Sequence, residues 1–318
     1  MSLCGSVTPR APHINHDTET GVRLLTVRHL TVYRYAEPVR FGEHRMMFRP
    51  RESHDLRLVR NRLVILPQPS LLLWRHDVFD NSAAVATFTG EATSLSFDST
   101  VTLEHTEVRL PDYRLEASAV AFPFSYSSED RPELIRALER AEPDQEVERW
   151  ARSLLPGSGP RLTMDLLRTM TCRIQEEFAY AHRHQRGVQS PGLTLQRRGG
   201  TCRDFAWFMI DAVRSLGLAA RFVSGYIFVP NVSDTDAVGG GATHAWLQVY
   251  LPGAGWVDFD PTNSIIGNRN LIRVAMAWHP EHVLPLWGTF IGRARSALSM
   301  HVDVAVTEEP EAIAETTP

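Results

Sequence analysis

Three residues of this chain combine types that, brought together, could carry nucleophilic acyl chemistry: Cys202 in GGTCRDFAWFMIDAVRSLG, His244 in THAWLQVYL and Asp260 in GWVDFDPTN. A cysteine attacks a carbonyl as its thiolate, so it needs a base. An imidazole serves as that base when a carboxylate holds its tautomer and orientation. Asp258 lies two positions before Asp260 and competes for the carboxylate role. A single cysteine is more often a small buried hydrophobe, and a single histidine is as often a satisfied interior residue. The weight of the reading comes from the three occurring jointly, on elements that can converge.

Phe205, Phe208, Met209, Ala212, Val213 and Leu216 follow the i, i+3, i+4, i+7, i+8 spacing of a buried helical stripe, and Gly217 supplies a C-terminal stop. Counting back places Cys202 at the N-terminal end of that helix, after Gly199 and Gly200. Unpaired N–H groups and the helix dipole favour a thiolate there and lower the pKa of a thiol so placed. The same N–H groups can face the oxyanion of an attacked acyl group. His244 and Asp260 fall on two consecutive predicted strands joined around Pro252 and Gly253. Alternation puts His244, Trp246 and Gln248 on one face, and Asp258 and Asp260 together on the next strand. Pairing Tyr250 with Ala254 across a three-residue loop would set His244 opposite Asp260.

The segments TCRDFAWF, AARFVSGYIF, THAW and WVDFDPTN resemble, in that order, the core of the bacterial transglutaminase-like superfamily of cysteine enzymes. The likeness covers residues 178–263, and FAYAHRHQRGVQSPGLTLQRRGGTC resembles the lead-in to the family's nucleophile. Residues 24–107 look like the β-rich N-terminal domain that accompanies many bacterial members. The resemblance implies that Cys202 is the nucleophile, His244 the general base and acid, Asp260 the orienting acid, and Asp258 a non-catalytic neighbour. It implies an α+β fold: a papain-like core, its nucleophile on a helix packed against an antiparallel sheet, preceded by a β-rich, sandwich-like domain. The activity implied is that of a cysteine peptidase, amidase or acyltransferase acting on a peptide or protein, with hydrolysis favoured over transamidation. This chemistry requires neither a metal nor an organic cofactor. AMAWHPEHVLPLWGTFIG departs from many relatives, which leaves substrate preference open. The contrasting expectation is a non-catalytic binding or scaffold protein that retains the fold.

The remaining sequence must position these residues. With 318 residues, 43% of them hydrophobic and 22% charged, the chain can bury a sizeable core, and its length suggests two domains. The expected division is a flexible tail over 1–20, a β-rich domain over 21–110 and a connector over 111–130. A core with C-terminal strands follows over 131–306, then a flexible acidic tail over 307–318. In the first domain LLTVRHLTVYRY, LRLVRNRLVIL, AAVATFTG and SLSFDSTVTLEHTEVRL read as antiparallel strands. Helices follow in PELIRALERA, in DQEVERWARSLL with Asp144 as N-cap, and over 163–178 with Leu166, Leu167, Met170 and Ile174 on one face; Cys172 packs mid-helix. Beyond the nucleophile helix, RFVSGYIFV opens a sheet that IRVAMAW and SMHVDVAV are expected to complete. A formal net charge of −4 argues against nucleic-acid and anionic-membrane partners. Three cysteines, Cys4, Cys172 and Cys202, form neither a disulfide framework nor a metal motif. With no apolar leader in the first twenty residues and no apolar run of spanning length, a cytoplasmic location is expected. His182 and His184 read as solvated rather than metal-ligating, and Gly239 to Gly241 as a surface loop rather than a phosphate cradle.

Overall fold

The computed structural model describes residues 21–108, 113–155, 159–181, 183, 187–230 and 241–309. The expected tail over 1–20, residues 310–318 of the tail expected over 307–318, Cys4, His182, His184, Gly239 and Gly240 lie outside the described residues.

The N-terminal half is built on one long strand, β1 (Val22–Met46), followed by β2 (Leu56–Leu66), β3 (Leu71–His76), β4 (Ser82–Thr87) and β5 (Glu91–Thr106), in the sheet order β2-β5-β1-β4-β3. Alternation along β1 buries Leu25, Val27, His29 and Thr31 on one side. The register slips between Arg34 and Val39 and again between Phe41 and His44. Such irregularities bend a strand, and the far half of β1 closes on a separate cluster containing Tyr35, Val39, Phe41, Leu95 and Phe97.

A short strand β6 (Ala121–Phe122) precedes the helices. The helix expected in PELIRALERA is two single turns, α1 (Asp130–Glu133) and α2 (Ile135–Leu138), broken at Leu134. Asp144 caps α3 (Gln145–Ser153), its carboxylate accepting the Glu146 and Val147 amides. After β7 (Arg161–Leu162), α4 (Thr163–Glu177) buries Leu166, Leu167, Met170, Cys172 and Ile174. Then come β8 (Ala179–Tyr180), α5 (Pro191–Arg197), β9 (Gly199–Gly200) and α6 (Cys202–Ser215). All of α6 except Arg203 and Ser215 is buried, so this helix forms the middle of the core. Each of its large apolar side chains contributes about 1.5–3 kcal/mol by leaving water. Gly217, at φ +80°, ends it as expected.

Against α6 lies an antiparallel sheet of β10 (Ala220–Ile227), β11 (His244–Leu251), β12 (Gly255–Asp260), β13 (Ile265–Ile266) and β14 (Leu271–Ala277), ordered β13-β12-β11-β10-β14. The last strands, β15 (Leu286–Ile291) and β16 (Ala297–Glu308), correct two expectations. They do not complete the sheet beside α6: β16 runs along β1 from Tyr35 to Leu25, and β15 pairs with β1 from Arg40 to Met46. The segment assigned to the C-terminal end of the core therefore belongs to the N-terminal sheet, and the strand continues to Glu308, past the expected start of the tail. The physical reason is one-sidedness. SMHVDVAV turns only Val302, Val304 and Val306 inward, whereas β11 is buried on both faces. One continuous cluster joins Leu25, Val27, Val101 and Leu103 of the N-terminal sheet to Phe205 and Phe208 of α6 and Leu247 of β11.

Candidate active site

The start of α6 is fixed from below by Asp204. Its fully buried carboxylate accepts the Thr201 amide at 2.8 Å, the Thr201 hydroxyl at 2.9 Å and the Gln189 amide at 2.7 Å. Arg183 completes the set with two charge-assisted hydrogen bonds of 2.8 and 2.9 Å. Gly200 permits the close packing this needs, because a Cβ there would come within 2.7 Å of Gln189 Nε2 and 2.8 Å of the Asp204 side chain. The helix therefore begins at Cys202 on a rigid base. The cysteine is 6% exposed, and it lines a cavity of about 260 Å³ with Tyr180, Thr201, Arg203, Thr243 and His244.

Tyr180 reaches this cavity because β8 pairs in parallel with β9, setting Tyr180 beside Gly200. Burial pushes its phenol well above the ordinary range, and the Cys202 sulfur adds to the shift as a charge and hydrogen-bonding neighbour.

His244 is the first residue of β11, opposite Gly225 of β10, and is buried. Its Nε2 lies 2.8 Å from Asp260 Oδ2. Asp260 Oδ1 accepts the Thr262 amide at 2.9 Å, and Oδ2 also accepts Asn263 Nδ2 at 2.9 Å. Burial opposes charge on both partners. The Asp260 carboxylate, and after it the Cys202 sulfur, outweigh burial and push His244 up to about 10. In return the His244 charge and the Asn263 and Thr262 donors hold Asp260 below the usual carboxylate range. With Nε2 committed to Asp260, Nδ1 is the nitrogen left for the thiol. It is buried and bonded to no nitrogen or oxygen among the described residues.

The expected strand register is corrected by one step of the turn. Tyr250 pairs with Trp256 and Leu251 with Gly255, so the three-residue connection is Pro252 to Ala254. Positive φ at Gly253 (+86°) and Gly255 (+72°) closes it there. The change preserves which residues share a face, and His244 reaches Asp260 diagonally instead of directly across. Asp258 faces Gln248, takes the Trp246 indole N–H at 2.7 Å and pairs with Arg273 at 3.3 Å. Burial raises its pKa, with Arg273 and Trp246 pulling the other way. Asp260, not Asp258, is thus the carboxylate bonded to His244. The indole of Trp246 stacks on the imidazole with centroids 5.8 Å apart and planes at 27°. Trp256 lies under the Arg221 guanidinium, and Cys172 is packed in α4, away from this cavity.

Sequence reasoning overlooked Tyr180, Asn263 and the Arg183–Asp204 pair. Asn263 had a local signal, an amide side chain in the turn after the acid. Tyr180 had none, because its place follows from a two-residue parallel pairing.

Residues 25–104 match the family described as the bacterial transglutaminase-like N-terminal region, and residues 150–261 match the transglutaminase-like superfamily. An uncharacterized protein of Mycobacterium tuberculosis is 29% identical over 303 residues, covering 91% of this chain and 95% of its own length. One from Mycobacterium leprae is 34% identical over 119 residues, 37% of this chain and 42% of that protein. The fold is similar to the crystal structure of a candidate cysteine protease from Cytophaga hutchinsonii, with a TM-score of 0.66 and 18% identity, covering 91% of this chain and 92% of that one.

Proposed function

From the premise that this chain belongs to the transglutaminase-like superfamily, we propose that it is a cysteine-dependent acyl-transfer enzyme acting on an amide bond of a peptide or protein. The supporting observation is the His244 imidazole: one nitrogen is held 2.8 Å from Asp260, and the other, bonded to no nitrogen or oxygen among the described residues, is beside the cavity that Cys202 lines. The thiol proton rests on Nδ1, an arrangement that the raised pKa of His244 favours, and the sulfur of this thiolate–imidazolium pair attacks the carbonyl carbon. The first-turn amides of α6 face the resulting oxyanion. The imidazolium returns its proton to the departing amine as the C–N bond breaks, leaving a thioester on Cys202. Asp260 stays ionised and keeps Nε2 protonated throughout.

A second acceptor then discharges the thioester. Water gives hydrolysis and an amine gives transamidation, by the same proton route through His244. We favour hydrolysis, since no acceptor-binding feature is needed beyond access of water. The test is a peptide library incubated with and without an added primary amine, with products read by mass spectrometry. New carboxyl ends that depend on Cys202 are expected, and Cys202→Ala should abolish them at an unchanged melting temperature because the change is small at a helix start. Turnover that survives Cys202→Ala would exclude the assignment.

A further inference from the structure

A second cavity, of about 620 Å³, lies where the turn after β1 meets the face of the sheet turned away from α6. Its lining includes Arg51 and Asp55 from the N-terminal half and Arg221, Gln248, Trp256 and Arg273 from the sheet; Cys202, His244 and Asp260 are not part of it. Its charges are mostly matched. Arg273 is held between Asp55 at 2.6 Å and Asp258 at 3.3 Å. Arg51 pairs with Asp80 at 2.9 Å, and Glu52 accepts the Leu58 amide.

Arg221 is the exception. Its Nε donates to Gln248 Oε1 at 2.9 Å, and its Cζ sits 4.1 Å from the centre of the Trp256 ring. These two contacts fix the guanidinium by its inner edge and its flat face. Among the described residues no carboxylate lies within 4 Å of it, and neither Nη1 nor Nη2 has a hydrogen-bond acceptor. Burial pulls this group down to about 9, with Asp258 opposing the shift and Arg273 and Arg51 adding to it. A half-buried cation with no carboxylate in direct contact is under-compensated, and an anion that docks on it supplies the missing partner. The two free terminal nitrogens form the fork that accepts a carboxylate in bidentate geometry.

We infer that this cavity is a binding site for a carboxylate-bearing small ligand, anchored on the outer edge of Arg221 and spatially separate from the cavity that Cys202 lines. The test is calorimetric titration of the intact protein with acetate, succinate and glutarate at constant ionic strength, with chloride as control. Saturable binding of at least one dicarboxylate, absent for chloride, is expected. Arg221→Lys keeps the charge but loses the fork, and should weaken binding about tenfold. Arg221→Met should weaken it about a hundredfold or more, and alkylation of Cys202 should be unchanged. If Arg221→Met does not fold, the Lys variant and protection of Arg221 from phenylglyoxal by the dicarboxylate give the same answer. Absence of saturable binding by the unmodified protein, or equal binding by the unmodified protein and the Lys variant, overturns the inference.

Discussion

Asp260→Asn isolates the orienting role of the carboxylate without changing its size. Asp260 accepts three donors: the Thr262 amide on one oxygen, and His244 Nε2 and Asn263 Nδ2 on the other. An asparagine has one oxygen, so one of these positions must face an NH2 group. The Thr262 amide is a fixed backbone donor and claims that oxygen. The NH2 group then donates to His244 Nε2, which drives the imidazole proton onto Nδ1, the nitrogen that has to receive the thiol proton. The base is blocked by its tautomer while its position is kept. Loss of a carboxylate in such a role lowers turnover by about a thousandfold to ten-thousandfold, and the lost charged hydrogen bonds destabilise the fold by about 1–3 kcal/mol. The assay needs no substrate: iodoacetamide labelling followed by mass spectrometry gives the alkylation rate of Cys202, with buried Cys172 as internal reference. At neutral pH Cys202 should label faster than Cys172, and the Asn variant should slow it at least about tenfold while remaining folded. Equal Cys202 rates in the two proteins would refute the coupling of carboxylate, imidazole and thiol.

Two further outcomes follow from the same geometry. Folding raises His244 from 6.5 to about 10, so between these values the folded protein holds a proton that the unfolded chain has released. The stabilisation from this group is full below pH 6.5 and is lost as the pH rises through about 10, at up to about 1.4 kcal/mol per pH unit. Urea unfolding from pH 6 to 10.5 should show this decline, and Asp260→Asn should flatten it; parallel profiles would contradict the assignment. Gly225 faces His244 across the sheet, and a Cβ there would lie 2.1 Å from the Ile272 carbonyl oxygen and 2.8 Å from Trp246. Gly225→Ala should therefore cost about 2–3 kcal/mol in urea unfolding, and by displacing the indole stacked on His244 it should slow Cys202 alkylation; an unfolding midpoint equal to that of the parent would rule out the crowding.

The helix of the nucleophile was legible because a stripe of apolar residues with a glycine after it has only one reasonable local structure, and α6 is that structure. The common face of His244, Asp258 and Asp260 was legible because the strand period is two. The exact pairing was not, since Tyr250–Ala254 and Tyr250–Trp256 give the same faces and differ only in which turn the two positive-φ glycines close. Choosing between Asp258 and Asp260 required knowing what else competes for each carboxylate. Trp246 and Arg273 claim the former, and Arg273 does so from β14, which β11 and β10 separate from β12 in the sheet. The placement of β16 failed for a related reason. Its alternation marks a strand with one wet face, but a strand pattern carries no address for its partner, and β1 offers an edge of the right length.

These long-range contacts also give the N-terminal half a physical relation to the site that two separate domains would lack. Asp55, in the turn after β1, accepts two hydrogen bonds from Arg273 at 2.6 and 2.8 Å. Arg273 pairs with Asp258, Asp258 holds the Trp246 indole, and the indole lies flat against the His244 ring. Every member is buried or nearly so, where hydrogen bonds are strong and an unpaired member is expensive. Removing one link leaves a buried charge without its partner, so the arrangement holds as a unit or relaxes as a unit. The N-terminal half thereby helps set the plane of the imidazole through the ring face that Trp246 covers. The shared apolar cluster that runs from Leu25 to Phe205 keeps the two halves from sliding past one another. On this reasoning Asp55 forms part of the scaffold that orients His244, although it lies about 190 positions away in the chain.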